Sequence, residues 1–133
     1  QAQKTGSRIA LYNHGGWAGE PENQVRILEK FGRKDAGIVF NFHHAHHRIE
    51  DFKQLLDIMM PYLYTVNLNG MNKEGSKIMD IGSGNYEASM IKTLKESEFN
   101  GTVGILGHIA EKDVEKVLNR NLQGLQRIIK ELD

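Results

Sequence analysis

The six histidines of this 133-residue chain fall in three short stretches, and imidazole is the side chain that most readily exchanges protons near neutral pH. They are His14, the four histidines of NFHHAHHR (His43, His44, His46 and His47), and His108. Histidines grouped in this way can bind a metal ion, transfer protons, or simply occupy a polar loop. Their spacing fits all three roles, so the choice depends on the elements that position the rings.

Four apolar runs are typical of buried strands: RIALYN (8–13), GIVFNF (37–42), LYTVNLN (63–69) and GTVGILG (101–107). Each run is followed by a polar loop and then by a segment with helical periodicity, of which 114–132 is the clearest. A strand–helix unit repeated four times predicts a parallel sheet with right-handed crossovers. Such an α/β chain is either a small open sheet or half of an eight-stranded barrel.

The alternation of residues along the strands separates these two folds. In the second run Ile38, Phe40 and Phe42 share an apolar face, whereas Val39 and Asn41 share the other. The other runs are likewise apolar on one face and small or polar on the other near their carboxyl ends. Because an open sheet covered by helices on both sides is apolar on both faces, one-sided polarity predicts half of a TIM (β/α)8 barrel over residues 1–133.

The composition limits the partners. Lys and Arg together number 17, as do Asp and Glu, so no global charge attracts nucleic acid, and no apolar run is long enough to span a membrane. The chain has no cysteine, which excludes thiolate metal ligands and thiol catalysis. A small neutral ligand fits this balance better than a polyanion does.

Continuing the inward-facing alternation past Tyr12, Asn41, Asn67 and Leu106 leads to the strand-end residues His14, His43, Asn69 and His108. Barrel enzymes bind substrate at this edge, so the alignment predicts a polar ligand site. The pair His46 and His47 is expected only to lead into the next helix.

Three loop features have two interpretations each. Trp17 follows two glycines and either stacks on a sugar face or anchors its loop. Lys73 either reaches over the site or stays in solvent. The turn 82–85 either binds an anion at a helix N-terminus or is an ordinary turn with Asn85 as the N-cap.

A metal site is disfavoured by the residue types. No strand end offers Asp or Glu, and adjacent histidines on an extended chain point to opposite sides. The alternative is a zinc site formed by His14, by His43 or His44, and by His108.

The stretches LYNHGGW, VFNFHHAH, NLNGMN, IGSGNYEASMIKTLKESEFNG and GILGH together resemble the xylose-isomerase-like TIM-barrel superfamily, which includes sugar phosphate isomerases and epimerases and AP endonuclease family 2-like proteins. The resemblance covers almost the whole chain but only the C-terminal four βα units of the barrel. It implies that the N-terminal βα units are absent from this chain, so a missing N-terminal half or a homo-oligomer is the expected partner.

In that superfamily a divalent metal is held by Glu, Asp, His and Glu. Carried over by the resemblance, these positions fall on Tyr12, Asn41, Asn67 and Leu106, so all four ligands are replaced. The family positions that survive are His14 and His44, which normally contact substrate or frame the site. The expected cofactor is therefore none.

The resemblance implies a sugar isomerase, epimerase or lyase-like protein that acts on a small sugar or keto-sugar at the rim. With the metal ligands replaced, the remaining proton carriers are His44 and His108. The expected substrate contacts are His14, Trp17, Asn41, His43, Asn67, Asn69 and Lys73. The alternative is a non-catalytic, sugar-binding or structural half-barrel, including one that dimerises.

Overall fold

The computed structural model describes residues 2–108 and 113–133, and it contains four strands that alternate with four α-helices. The strands are β1 (Ile9–Tyr12), β2 (Ala36–Asn41), β3 (Leu63–Leu68) and β4 (Thr102–Ile105). The helices are α1 (Pro21–Phe31), α2 (Phe52–Met59), α3 (Glu87–Lys95) and α4 (Val114–Glu131). Short 3-10 helices cover Ala2–Thr5, Trp17–Gly19, Phe42–His44, His46–Asp51 and Met60–Tyr62.

The four strands form one parallel sheet in the order β1-β2-β3-β4. All four strands predicted from the sequence are therefore confirmed, and no strand boundary differs from its predicted position by more than two residues. Within the described residues, β1 and β4 are the two edges of the sheet. Each edge presents backbone groups that a further strand can pair with.

The two faces of the sheet differ in burial as the alternation predicts. Ile38, Phe40 and Val66 are fully buried beneath the helices. On the opposite face Tyr12 is 41% exposed and Thr65 is half-buried. This second face is the inner face of a barrel, and it remains open because the chain supplies only half of the wall.

Local signals fix the helix ends. The first helix, α1, has Pro21 in its first turn and ends at Gly32, whose φ of 65° is the left-handed conformation that glycine adopts without strain. Helix α2 begins only at Phe52. The preceding residues 46–51 form a 3-10 helix in which Arg48 has a non-helical φ of −122°. No helix among the described residues is long and apolar enough to cross a membrane.

A buried carboxylate organises the long loop between β3 and α3. Glu87, in the first turn of α3, is fully buried, and its Oε1 accepts hydrogen bonds from the amides of Gly82 (2.9 Å) and Gly84 (2.7 Å). Its Oε2 accepts a third bond from the amide of Met71 at 2.9 Å. The turn 82–85 was one candidate for binding an external anion. Its amides at Gly82 and Gly84 instead donate to the chain's own Glu87. The expected Asn85 cap is wrong, because the N-cap residue is Tyr86 and makes no side-chain cap.

We expect Glu87→Gln to lower the free energy of unfolding by about 2–3 kcal/mol, because its amide group would turn a donor towards backbone N–H groups that need an acceptor. Chemical denaturation followed by circular dichroism measures this loss. Glu98→Gln, at an exposed position, is the matched control and should change stability by less than about 0.5 kcal/mol. Equal stability of the two variants would show that the three bonds do not hold the loop.

Candidate active site

Four ring side chains meet where β1 and β2 end, and we call Tyr12, His14, His43 and His44 the rim cluster. The ring of His44 lies at its centre, with centroids 4.6 Å from His14, 4.8 Å from His43 and 5.5 Å from Tyr12. The structure therefore brings together three of the histidines predicted to act at the rim. Their side chains come from two neighbouring strands, whose parallel pairing places both carboxyl ends at one edge.

The surroundings of His44 set its protonation. Burial lowers the pKa of His44 below its ordinary value near 6.5, and the neighbouring rings of His43 and His14 lower it further. The neutral imidazole is therefore the stable form at neutral pH. A neutral, half-buried imidazole can accept a proton from a bound molecule, which is the property required of a general base.

Two of the four positions that the resemblance gives to metal ligands are bonded to each other. The amide nitrogen of Asn41 donates to the hydroxyl of Tyr12, and Asn41 Oδ1 accepts from the backbone amide of His43 at 3.0 Å. Asn41 is only 1% exposed, so it offers almost no surface to a ligand. Its observed role is to fix the strand end that carries His43 and His44.

The other two of these positions lack metal-binding character as well. Asn67 packs its side-chain oxygen against Gly104 on the next strand, where an added β-carbon would collide with it. The side chain of Leu106 has no donor atom. Within residues 2–108 and 113–133, no three His, Asp or Glu side chains are placed to hold a metal ion. The donor set present therefore does not fit the divalent metal of the superfamily.

A residue that the sequence analysis missed joins the two strand ends. Asn13 is buried, and its side chain forms two hydrogen bonds with the backbone of Asn41: its Oδ1 accepts from the amide at 2.7 Å and its Nδ2 donates to the carbonyl at 2.9 Å. This pair extends the β1–β2 pairing beyond Tyr12 and Val39. The available signal was an asparagine directly after the strand, one residue before His14 and two glycines.

The loop after β3 is tied to the histidine stretch. His46 is buried, and its ring nitrogens lie 2.7 Å from the Asn72 carbonyl and 2.8 Å from the Lys77 carbonyl. His43 Nδ1 also lies 3.0 Å from the Lys77 carbonyl. His46 is thus a tie between two loops, whereas the sequence assigned it only to the approach of a helix.

The remaining predicted residues are not members of the rim cluster. Trp17 is 67% exposed on its loop, and His108 is exposed three residues after the end of β4. Asn69 is fully buried and donates to the Gly70 carbonyl at 2.8 Å, so it turns towards its own loop rather than towards a ligand. The ammonium of Lys73 pairs with Glu50 at 2.9 Å.

A cleft of about 480 Å³ opens beside the rim cluster, lined by Gly15, Lys73, Lys77 and the four histidines between positions 43 and 47. This volume is in the range of small-molecule sites. The structure thus adds Lys77 to the residues identified from sequence. Lys77 lies in a stretch without periodicity, so only the path of the loop reveals its position.

No protein-family model matches the sequence, and no curated protein matches it either. Its fold does match solved structures. The apo crystal structure of a 3-keto-D-glucoside 4-epimerase from E. coli matches with a TM-score of 0.74 and 17% identity, over 97% of this chain and 48% of that one. A D-tagatose 3-epimerase-like protein matches with a TM-score of 0.66 and 23% identity, over 99% of this chain and 52% of that one.

The chain has the fold of half a TIM barrel, and it spans about half the length of each neighbour. The resemblance noted in the sequence is therefore confirmed at the level of the fold. At these identities the likeness concerns the fold alone.

Proposed function

We propose that this half-barrel belongs to a carbohydrate-active protein of the isomerase, epimerase or lyase type, which acts on a small sugar or keto-sugar at the rim. The observation that supports this most directly is the placement of His44, a neutral imidazole at the centre of the rim cluster, beside a cleft of sugar size. Neighbours of the same fold include a 3-keto-D-glucoside 4-epimerase, which adds weight to a sugar substrate.

The proposed reaction begins with proton transfer without a metal. His44 takes the proton from a carbon next to the carbonyl, and the electron pair of that C–H bond forms an enediolate. The carbonyl oxygen then carries the negative charge, and a hydrogen-bond donor of the rim stabilises it. The protonated His44 then returns the proton to the carbon or to the oxygen, and His108, the second proton carrier predicted from the sequence, is the alternative donor. The proposed step is written without a metal, because the residues at the four positions Tyr12, Asn41, Asn67 and Leu106 do not fit one.

Substrate contacts are assigned to the exposed part of the rim. His14 and His43 flank His44, Trp17 offers an exposed ring face to an apolar sugar face, and Asn67 lies on the open inner face. Lys73 also lines the cleft, and its ammonium pairs with Glu50.

Deuterium exchange tests this function without knowledge of the product. We expect the chelator-treated protein in D2O to introduce deuterium at the carbon next to the carbonyl of D-fructose, D-tagatose or a 3-keto-D-glucoside, which NMR spectroscopy detects as loss of the proton signal. Exchange at the level of buffer across all keto-sugars would contradict the catalytic proposal.

The alternative is a non-catalytic, sugar-binding half-barrel, and one observation favours it. The rings of the rim cluster contact each other, and no carboxylate is among the hydrogen-bond partners found for His44 in the described part of the chain. Catalytic histidines are often oriented by such a carboxylate. Sugar binding that persists without deuterium exchange would identify this alternative.

A further inference from the structure

We propose that the cleft beside the rim cluster binds the carboxylate of a sugar acid, with Lys77 as the charged contact. This inference rests on the proposed function, and it narrows the substrate from sugars in general to sugars that carry one carboxylate group. It follows from the charges that line the cleft, from the ion pairs already present around it, and from the orientation of the His43 ring.

The lining of the cleft is basic or neutral. Its lining residues are Gly15, four histidines and the two lysines Lys73 and Lys77, and none of them is Asp or Glu. A cleft without acidic side chains does not repel an anionic ligand. The chain as a whole has no net charge, so the absence of acidic lining residues is a local feature of this cleft.

Most positive groups near the cleft are already neutralised. The Lys73 ammonium pairs with Glu50 at 2.9 Å, and His47 Nε2 lies 3.1 Å from Glu20. Arg48 is held by carboxylates on three sides, which raise its pKa: Glu22 most strongly, then Asp51, and Glu20 less.

The Lys77 ammonium is different. In the part of the chain that the structure describes, no carboxylate lies within 4.0 Å of it. One unpaired positive charge matches a carboxylate, which carries one negative charge. The same single positive charge would leave a phosphate dianion incompletely neutralised.

The ring of His43 is oriented for a polyhydroxylated ligand. Its Nδ1 lies 3.0 Å from the Lys77 carbonyl, so in the neutral ring this nitrogen carries the proton and Nε2 is an acceptor. An Nε2 acceptor receives a hydrogen bond from a sugar hydroxyl. Lys77 thus presents its carbonyl to His43 and is also one of the residues that line the cleft. The ligand's carboxylate is placed at Lys77, with its hydroxylated carbons extending towards His43 and His44.

The opposite wall leaves room for the ligand. Gly15 has a φ of 76°, and nothing lies within 4 Å of the place where its β-carbon would be. Gly15 and His44 line the same cleft, and the space beside Gly15 is open.

The test compares matched ligands by isothermal titration calorimetry on the folded protein at pH 7.5: D-glucuronate, D-glucose and D-glucose 6-phosphate. We expect D-glucuronate to bind about tenfold more tightly than D-glucose, since a charge-assisted contact is the difference between them. This preference should shrink as sodium chloride is raised, because salt screens an open site. In Lys77→Gln the preference should fall to about twofold or less, whereas Lys30→Gln, on the exposed surface of α1, should retain it.

Each other outcome overturns the inference in a distinct way. Equal affinity for D-glucuronate and D-glucose would remove the carboxylate site and leave the proposed function intact. Tighter binding of D-glucose 6-phosphate than of D-glucuronate would show a site for a dianion. A preference that survives Lys77→Gln would place the charged contact elsewhere. Failure of all three ligands to bind would contradict the sugar substrate itself, and with it the proposed function.

Discussion

Replacing His44 by asparagine should lower the rate of deuterium exchange into a keto-sugar by at least about 100-fold, the usual contribution of a positioned general base. The reason is the neutral state of His44, which burial and the rings of His43 and His14 maintain by lowering its pKa. Asparagine retains hydrogen-bonding capacity but cannot accept a proton at any relevant pH. The variant should therefore lose exchange and keep its affinity for the sugar within a few-fold.

The pH profile of the unsubstituted protein checks the same assignment. Because the pKa of His44 lies below its ordinary value near 6.5, the base stays neutral at pH 7 and the rate should fall only as the pH drops through that lowered pKa. The variant should show no such step. Lys30→Gln, on the exposed surface of α1, is the control. Equal loss of exchange in both variants would remove His44 from the role of base.

The 133-residue chain by itself should not be a stable monomer, and we expect it to self-associate through the edges of its sheet. Strands β1 and β4 are edges within the described residues, and the inner face is open. Apolar side chains lie exposed at both edges, with Ile9 on β1 at 43% and Val103 on β4 at 46%. In a closed barrel these surfaces are covered by neighbouring βα units, and the neighbours of this fold are about twice as long.

The exposed apolar surface continues onto the helices that flank these edges. Phe31 of α1 lies exposed near β1, where Ile9, Leu11 and Ile27 border the same apolar groove of about 230 Å³. On the other side, exposed side chains follow one another along α4: Val114, Leu118, Leu122 and Ile129. Exposed apolar surface of this kind is typical of an interface. It suits either a second half-barrel or an N-terminal half of the same barrel.

Sedimentation velocity measures the predicted association, and edge substitutions test its location. Ile9→Lys and Val103→Lys should each weaken self-association about tenfold or more, because each removes an apolar side chain whose burial is worth about 1.5–3 kcal/mol. Ala88→Lys, at an exposed position of α3 away from both edges, should leave it unchanged. A cooperatively folded monomer at micromolar concentration would contradict the half-barrel interpretation.

Closure of the barrel also bears on the proposed site. The rim cluster forms only one part of a rim that, in a full barrel, is contributed by eight strands. His44, the rest of the rim cluster and the basic cleft already lie together in this half. We therefore expect the partner half to supply substrate contacts opposite His44 and to shield its reaction from water.

The sequence by itself determined the elements of this protein and the edge of the sheet at which its polar residues lie. Apolar runs such as 37–42 have the length and alternation of strands, and Pro21 and Gly32 mark both ends of a helix. These signals are local, since each depends on residues within one turn or one strand of each other. Because parallel strands place their carboxyl ends at one edge, the position of the histidines followed directly.

Only the tertiary structure decided what those polar residues do. Asn41 and Tyr12, 29 positions apart, bond to each other, and Asn13 binds the backbone of Asn41 across 28 positions. Likewise, the carboxylate of Glu87 gathers three amides of a loop with no periodicity. Such contacts depend on strand register and on the path of long loops, neither of which local periodicity specifies. The polar edge of the sheet can therefore be predicted from the sequence. The central position of His44, and the absence of a carboxylate within 4.0 Å of the Lys77 ammonium among the described residues, are apparent only in the folded chain.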